Sequence, residues 1–323
     1  MLLAGDVGGT KTLLGLFRRA PHRPVPVAVQ SFPTLEYDGI VPMIRTFLRA
    51  QPGGEPPIDA ACFGVAGPVL HDTAWMTNVP WKVDGRAVAL EFGLSSVRLL
   101  NDLVSIAHSV AVLQPEELHI LQQGEPNLAG NAALLAAGTG MGQSFLFNDG
   151  HKLVPAPSEG GHGDFAARTS REWEFVDWLT RKYGRAEVEM VVSGIGLTNL
   201  YHFTHGNRPC VPLDTDPPPD LPRIASEHAR TDACRYCIET MDLFVSAYGA
   251  EAGNLAVRTV ATRGVYIGGG IAPKNIPLLE RPAFIASFVQ KGPMRELLEQ
   301  IPIRIIKNPQ AGLLGAATVA NTM

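Results

Sequence analysis

The sequence is poor in cysteine, modest in charge and without a long apolar run. Four cysteines in 323 residues, Cys62, Cys210, Cys234 and Cys237, do not make a disulfide framework. With no basic leader and an acid already at Asp6, they are expected to be free thiols of a cytoplasmic protein. No uninterrupted apolar stretch approaches the roughly 20 residues that span a bilayer, so no membrane segment is expected. Only 18% of residues are charged, against 46% hydrophobic, which excludes a disordered chain. Lys and Arg number 27 against 31 Asp and Glu, a formal net charge of -4, so a nucleic-acid protein resting on a basic face is not expected. What is abundant is glycine, 33 residues alongside 26 prolines. Glycine is needed where backbone turns tightly or approaches a ligand, so the places where it clusters are candidate sites. The length suggests two domains.

Apolar runs at Leu2–Gly5, Leu13–Phe17, Ala60–Val65, Val97–Leu100, Ala133–Ala136 and Ser144–Phe147 read as strands. Helical periodicity is clearest at Leu103–Val110, Trp173–Leu179 and Ile224–Thr262, and the alternation indicates an α/β architecture. Cys234 and Cys237 form the one C-x-x-C. They fall in a pattern with Ala233, Met241, Phe244 and Tyr248 at steps of three and four, so both are expected to pack as core cysteines rather than serve redox or metal chemistry. The proline-dense stretch Pro209–Pro222 is expected to be a loop without chemistry. Leu2-Leu3-Ala4, a glycine turn and Leu13–Phe17 resemble Leu134-Leu135-Ala136, a glycine turn and Ser144–Phe147, which suggests a duplicated domain, although two buried hairpins of this length can look alike by chance.

Asp6-Val7-Gly8-Gly9-Thr10-Lys11-Thr12 is not a P-loop, because Thr10 separates Gly9 from Lys11 and the following apolar run is too short for a crossover helix. A hairpin turn whose amides and Thr10 hydroxyl face phosphate fits better, as does an ordinary hairpin turn. Asp6 would repel phosphate unless a cation intervened, so it is expected to face Mg²⁺, through water. Gly138-Thr139-Gly140-Met141-Gly142 also runs into a strand, which excludes a dinucleotide fingerprint and suits a second phosphate clamp. Gly268-Gly269-Gly270 at a strand end would let an adenine lie against backbone, or simply make a tight turn. Asn101-Asp102 falls at a strand–helix junction, where Asp is also a common N-cap. Glu159-Gly160-Gly161-His162 joins an acid and an imidazole on one loop suited to adjacent hydroxyls, and Glu189 is a third acceptor.

Taken in order, Gly5-Asp6-Val7-Gly8-Gly9-Thr10, Met76-Thr77-Asn78, Asn101-Asp102, Gly138–Gly142, Glu159–His162, Val192-Ser193-Gly194 and Gly268-Gly269-Gly270-Ile271 with Pro273-Lys274 are similar to the bacterial glucokinases. These belong to the actin/hexokinase/Hsp70 superfamily. The resemblance implies an α/β protein of two ribonuclease H-like domains, mixed sheets flanked by helices, with an active-site cleft between them. It implies a small domain of residues 1–112 plus 303–323, to which the last helix near Gln310–Ala320 returns, and a large domain of residues 113–302. Asp102 would be the catalytic base, and Asn78, Asn101, Glu159, His162 and Glu189 would bind the sugar with it. Gly5, Asp6, Val7, Gly8, Gly9, Thr10, Gly138, Thr139, Gly140, Gly269 and Gly270 would hold ATP with Mg²⁺.

The activity so implied is ATP-dependent phosphorylation of glucose at the 6-hydroxyl, feeding glycolysis, by a homodimer. A kinase for mannose, fructose or an N-acetylated hexosamine is the alternative, and a non-catalytic sugar-sensing regulator a further one. Lys11-Thr12 is similar instead to the related repressor/open-reading-frame/kinase sugar kinases, which carry a zinc site of a loop histidine and nearby cysteines. No cysteine lies between His162 and Pro209, so a structural zinc is not expected.

Overall fold

Buried apolar runs form the strands of this chain, and apolar faces of helical period cover them. The computed structural model describes residues 1–76 and 79–323. These group into two compact units, one of Met1–Glu117, Lys152–Pro157 and Asn308–Met323, the other of Leu118–His151 and Ser158–Lys307. Within the first unit Arg23 donates to the Val112 carbonyl and pairs with Glu117, which also accepts from Asn308 Nδ2, tying these three segments together.

In the first unit, β1 (Leu2–Val7), β2 (Lys11–Arg18), β3 (Val25–Pro33), β4 (Ala60–Val65) and β8 (Val97–Asn101) form one sheet in the order β3-β2-β1-β4-β8. β1 is antiparallel to β2, with Val7 opposite Thr12, and parallel to β4, which is parallel to β8. β1 and β4 are buried almost throughout, as central parallel strands covered on both faces must be. β3, with prolines at 26 and 33, is the exposed edge. Short strands β5 (Val69–Leu70), β6 (Thr73–Trp75) and β7 (Lys82–Asp84) make a second small sheet. Helix α1 (Ile40–Arg49) buries Ile44 and Phe47 against Leu3, Leu14 and Phe63. Helix α2 (Gly85–Phe92) is capped by Asp84, which accepts from the Arg86 and Ala87 amides, a cap that stabilises by about 1 kcal/mol. On the opposite face α3 (Asp102–Ser109) and the last helix, α11 (Ala311–Ala320), pack together, with Leu313 and Ala317 against Leu2, Ala4 and Cys62.

The second unit carries β9 (Leu118–Gln122), β10 (Ala132–Ala137), β11 (Met141–Asn148), β13 (Gly264–Gly268) and β14 (Ile303–Ile306), in the order β11-β10-β13-β14-β9, while β12 (Leu153–Ser158) falls almost wholly in the first unit. The β10–β11 hairpin sets Ala137 opposite Met141, and β10, β13 and β14 run parallel. This repeats the arrangement of β2, β1, β4 and β8, so the similarity noticed between the two hairpins extends to strand order and direction. Its helices are α4 (Ser170–Tyr183), α5 (Gly194–His205), α6 (Leu221–Arg230), α7 (Arg235–Thr259), α8 (Ile276–Leu279), α9 (Pro282–Val289) and α10 (Arg295–Gln300). The expected helix over 224–262 is two helices, broken at 231–234, where Asp232 turns at φ +53°. Met241, Phe244 and Tyr248 are buried as expected, but Ala233 is exposed and Cys234 sits at the N-cap of α7 rather than on its buried face. Among the described residues no helix is long and apolar enough to cross a membrane.

Candidate active site

Both glycine turns of the sequence close hairpins, and neither opens a helix. In the first unit the turn is braced from outside: the Thr34 amide donates to the Thr10 carbonyl (3.0 Å), and the Thr34 hydroxyl to the Gly8 carbonyl (2.8 Å). The Thr34 hydroxyl also lies 2.9 Å from that of buried Thr12. Thr34 follows β3 and carried no local signal in the sequence. Gly8 and Gly9 are half-buried and Thr10 is exposed, so the top of the turn is open. Gly5 and Val7, expected to hold ATP, are buried in β1, where the Phe63 ring fills the space a side chain at Gly5 would need. They support the turn from beneath.

Asp6 is the penultimate residue of β1, and its carboxylate lies against Gly312 of α11. Burial first, and then the charge of Asp102, push its pKa from 3.8 up to about 6, with Lys11 pulling the other way. A buried carboxylate such as that of Asp6 is a suitable ligand for a hard divalent cation such as Mg²⁺. Asn101 and Asp102 stand at the β8–α3 junction, as the sequence indicated, but the capping role goes to Asn101. Its Oδ1 accepts from the Leu103 amide (3.0 Å) while its Nδ2 donates to the Gly67 carbonyl (3.3 Å). Asp102 is the first residue of α3, and its Oδ1 accepts from the Leu103 amide at 2.8 Å. Asn78 lies outside the described residues.

In the second unit the Gly138 and Thr139 carbonyls accept from the Gly194 and Ile195 amides, tying the start of α5 to the glycine turn. Beside that turn is a cavity of about 680 Å³, lined by Gly138, Thr139, Gly270, Ile271, Lys274 and residues of α6 including Arg223 and Glu227. The second and third glycine motifs thus meet at one hollow. Gly269 has φ +81°, and a Cβ there would collide with the Ala137 carbonyl, whereas a Cβ on Gly138 or Gly270 would meet nothing within 4 Å. The close strand approach needs Gly269; Gly138 and Gly270 keep space open. Contrary to expectation, the proline-rich stretch reaches this site through Asp220 and Pro222. The missed signal was an N-cap: Asp220 accepts from the Arg223 amide, with a proline in the first turn of α6.

Glu159-Gly160-Gly161-His162 makes one tight turn over β11, with Gly161 so close to the Met141 carbonyl that no side chain fits. Glu159 is exposed. His162 Nδ1 lies 3.3 Å from Glu187 Oε1, and donor atoms of His162, Glu187 and Glu189 all lie within 4.8 Å of one another. The Glu187 hydrogen bond raises the His162 pKa, burial opposes it, and the charges of Glu189, Glu187 and Glu159 add to the rise. Glu189 has one oxygen committed, since Oε2 accepts from the Met141 amide at 2.8 Å. Glu187, which sequence reasoning passed over, is therefore the residue that orients the imidazole. The group offers acceptors on one side and a polarised imidazole on the other, which suits neighbouring hydroxyls.

The chain matches the family model described as Glucokinase over residues 3–323. It is 38% identical to the glucokinase of Nostoc punctiforme, an alignment spanning 99% of this chain and 98% of that protein. Its structure is similar to a glucokinase from an Antarctic psychrotroph, with a TM-score of 0.88 and 26% identity over 100% of this chain and 99% of the other. A glucokinase of the ROK family from Streptomyces griseus, solved in complex with glucose and AMPPNP, shares the fold at a TM-score of 0.66 and 18% identity, covering 100% and 99% of the two chains. With the two hairpin turns, the Asn-Asp junction and the Glu-Gly-Gly-His loop all present, this chain belongs to the glucokinase family.

Proposed function

We propose that this chain transfers the γ-phosphoryl group of ATP to the 6-hydroxyl of glucose, releasing glucose 6-phosphate and ADP. The observation that supports the assignment of the base is the position of Asp102 as the first residue of α3, at the β8–α3 junction, in the same unit as the first glycine turn and Asp6. Asp102 accepts the hydroxyl proton as the oxygen attacks, a role that fits its position at the N-terminus of α3, where the Leu103 amide steadies the carboxylate. Asn101, Glu159, His162 and Glu189 bind the sugar hydroxyls, and Asn78 is assigned with them. Each acceptor left unpaired by a wrong hydroxyl pattern would cost about 1–3 kcal/mol, which supplies selectivity. The amides of Gly8–Thr10 and Gly138–Gly140 hold phosphate, and the cavity at Gly269-Gly270 takes the adenosine. Asp6 would hold Mg²⁺, which when bound neutralises charge on the phosphates. A cytoplasmic homodimer that feeds glycolysis completes this reading.

The test is a coupled assay of ADP release with Mg·ATP and glucose, mannose, fructose or N-acetylglucosamine, run on the wild type and on Asp102→Ala. Glucose should give the highest kcat/KM, and Asp102→Ala should lose on the order of 10²–10⁴-fold in kcat while still binding glucose in calorimetry. Near-normal turnover by the variant would remove Asp102 as the base. A higher kcat/KM for another hexose would replace the substrate, and no sugar-dependent ADP release would leave the sugar-sensor reading in its place.

A further inference from the structure

The second unit gathers three of the chain's four cysteines and a histidine at one point, and the catalytic reading uses none of them. His205 ends α5, Cys210 lies five residues into the following loop, Cys234 caps α7 and Cys237 is in its first turn. His205 Nε2 is 3.5 Å from Cys234 Sγ and 3.6 Å from Cys237 Sγ, and the Cys210 and Cys237 sulfurs are 3.6 Å apart. All four donor atoms lie within 4.8 Å of one another. A zinc ion with three thiolates at about 2.3 Å and one imidazole nitrogen at about 2.0 Å requires tetrahedral edges of about 3.8 Å between sulfurs and about 3.6 Å between sulfur and nitrogen. The three separations lie within about 0.2 Å of those edges. A disulfide would instead need sulfurs about 2.05 Å apart.

The surroundings hold these donors in place. His205 Nδ1 lies 2.9 Å from the Tyr201 carbonyl, so the proton sits on Nδ1 and the lone pair of Nε2 points at the sulfurs. The imidazole stacks on the Tyr201 ring with centroids 3.7 Å apart. The Tyr201 hydroxyl accepts from the Cys210 amide (3.1 Å) and reaches the Cys210 sulfur (3.3 Å), and His228 Nδ1 comes within 3.5 Å of the same sulfur. Metal thiolates commonly have hydrogen-bond partners of this kind. His205 and Cys237 are buried, whereas Cys210 and Cys234 are partly exposed, which leaves a path for a metal to enter.

We propose that His205, Cys210, Cys234 and Cys237 bind one Zn²⁺ as a closed structural site. The site shares no residue with the His162 group, and it replaces two expectations: that Cys234 and Cys237 are ordinary core thiols, and that the chain has no structural zinc. It has a mechanical consequence, because the four ligands pin both ends of a segment that contains α6, whose Arg223 and Glu227 line the cavity beside the second glycine turn. The metal would hold that wall of the cavity in register.

The test uses the full-length protein, purified without a histidine tag, in reducing buffer and without added chelator. Elemental analysis should find about one zinc per chain, and zinc X-ray absorption should show a shell of three sulfurs near 2.3 Å and one nitrogen near 2.0 Å. Cys234→Ser and Cys237→Ser should lower the zinc content to background. Because those variants could fail to fold, Cys234→His is measured too and should retain zinc with one sulfur fewer in the shell. Stripping the metal with a mercurial, followed by thiol to remove the mercurial, should increase amide exchange across residues 206–234. A wild-type chain that holds no zinc after incubation with ZnCl₂ and desalting would overturn the proposal. So would a coordination shell without sulfur, or a disulfide between these cysteines in the reduced preparation.

Discussion

Asp6 shows what a buried carboxylate costs the fold. Its pKa is raised from 3.8 to about 6, so the folded chain binds a proton that the unfolded chain releases between those values. Stability from this group is fully present below 3.8 and is lost as pH rises through 6, a cost of roughly 3 kcal/mol at neutral pH in the absence of a cation. Asp6→Asn should therefore raise the Tm of metal-free protein at pH 7.5 and leave it little changed near pH 4, and MgCl₂ should raise the Tm of the wild type but not that of the variant. Thermal melts at the two pH values check this; equal Tm at pH 7.5 would mean that Asp6 is not destabilised by burial. At this scale the sequence pointed to Asp6, Asp102 and His162 through local motifs. It could not point to Thr34 or Glu187, since each meets its partner, Gly8 or His162, across about 25 residues of intervening chain.

Helices and strands were legible where their signal is local. The hairpins β1–β2 and β10–β11 follow from two short apolar runs around glycine, and Ala60–Val65 reads as a buried strand at its observed bounds. The break between α6 and α7 was not legible, because the buried positions of the two helices keep a compatible period across it while the chain turns at Asp232. The glycine motif after β13 separates two roles that one sequence pattern conceals. Gly269→Ala forces a side chain into a left-handed backbone and onto the Ala137 carbonyl, so it should destabilise by about 1–3 kcal/mol in denaturant melts. Gly270→Val places its side chain in open space beside the cavity and should leave stability within about 1 kcal/mol while raising KM for ATP at least about tenfold. If Gly270→Val instead leaves KM for ATP unchanged, adenosine does not occupy this cavity.

At the scale of the whole chain, the first unit depends on its last helix. Gly315 of α11 lies against the Ser105 carbonyl of α3 with no room for a side chain, and the Ser105 hydroxyl donates to the Gly312 carbonyl at 2.8 Å. Gly315→Val should push the two helices apart and destabilise by about 3 kcal/mol or more. Hydrogen exchange should locate the loss in β1, β4 and α3 and spare β10, β13 and α7; uniform loss in both units would show that they unfold as one. By itself the sequence determined the α/β class, the repeated hairpins and the order of the glycine turns, the Asn-Asp pair and the Glu-Gly-Gly-His loop, because strand period, turn chemistry and short motifs are set by neighbouring residues. Only the tertiary structure decided that Glu187 orients His162, that the second and third glycine motifs share one cavity, and that His205 and Cys210 meet Cys234 and Cys237. Those contacts join segments far apart in sequence, and their geometry is fixed by how helices pack on a sheet, which no local pattern encodes.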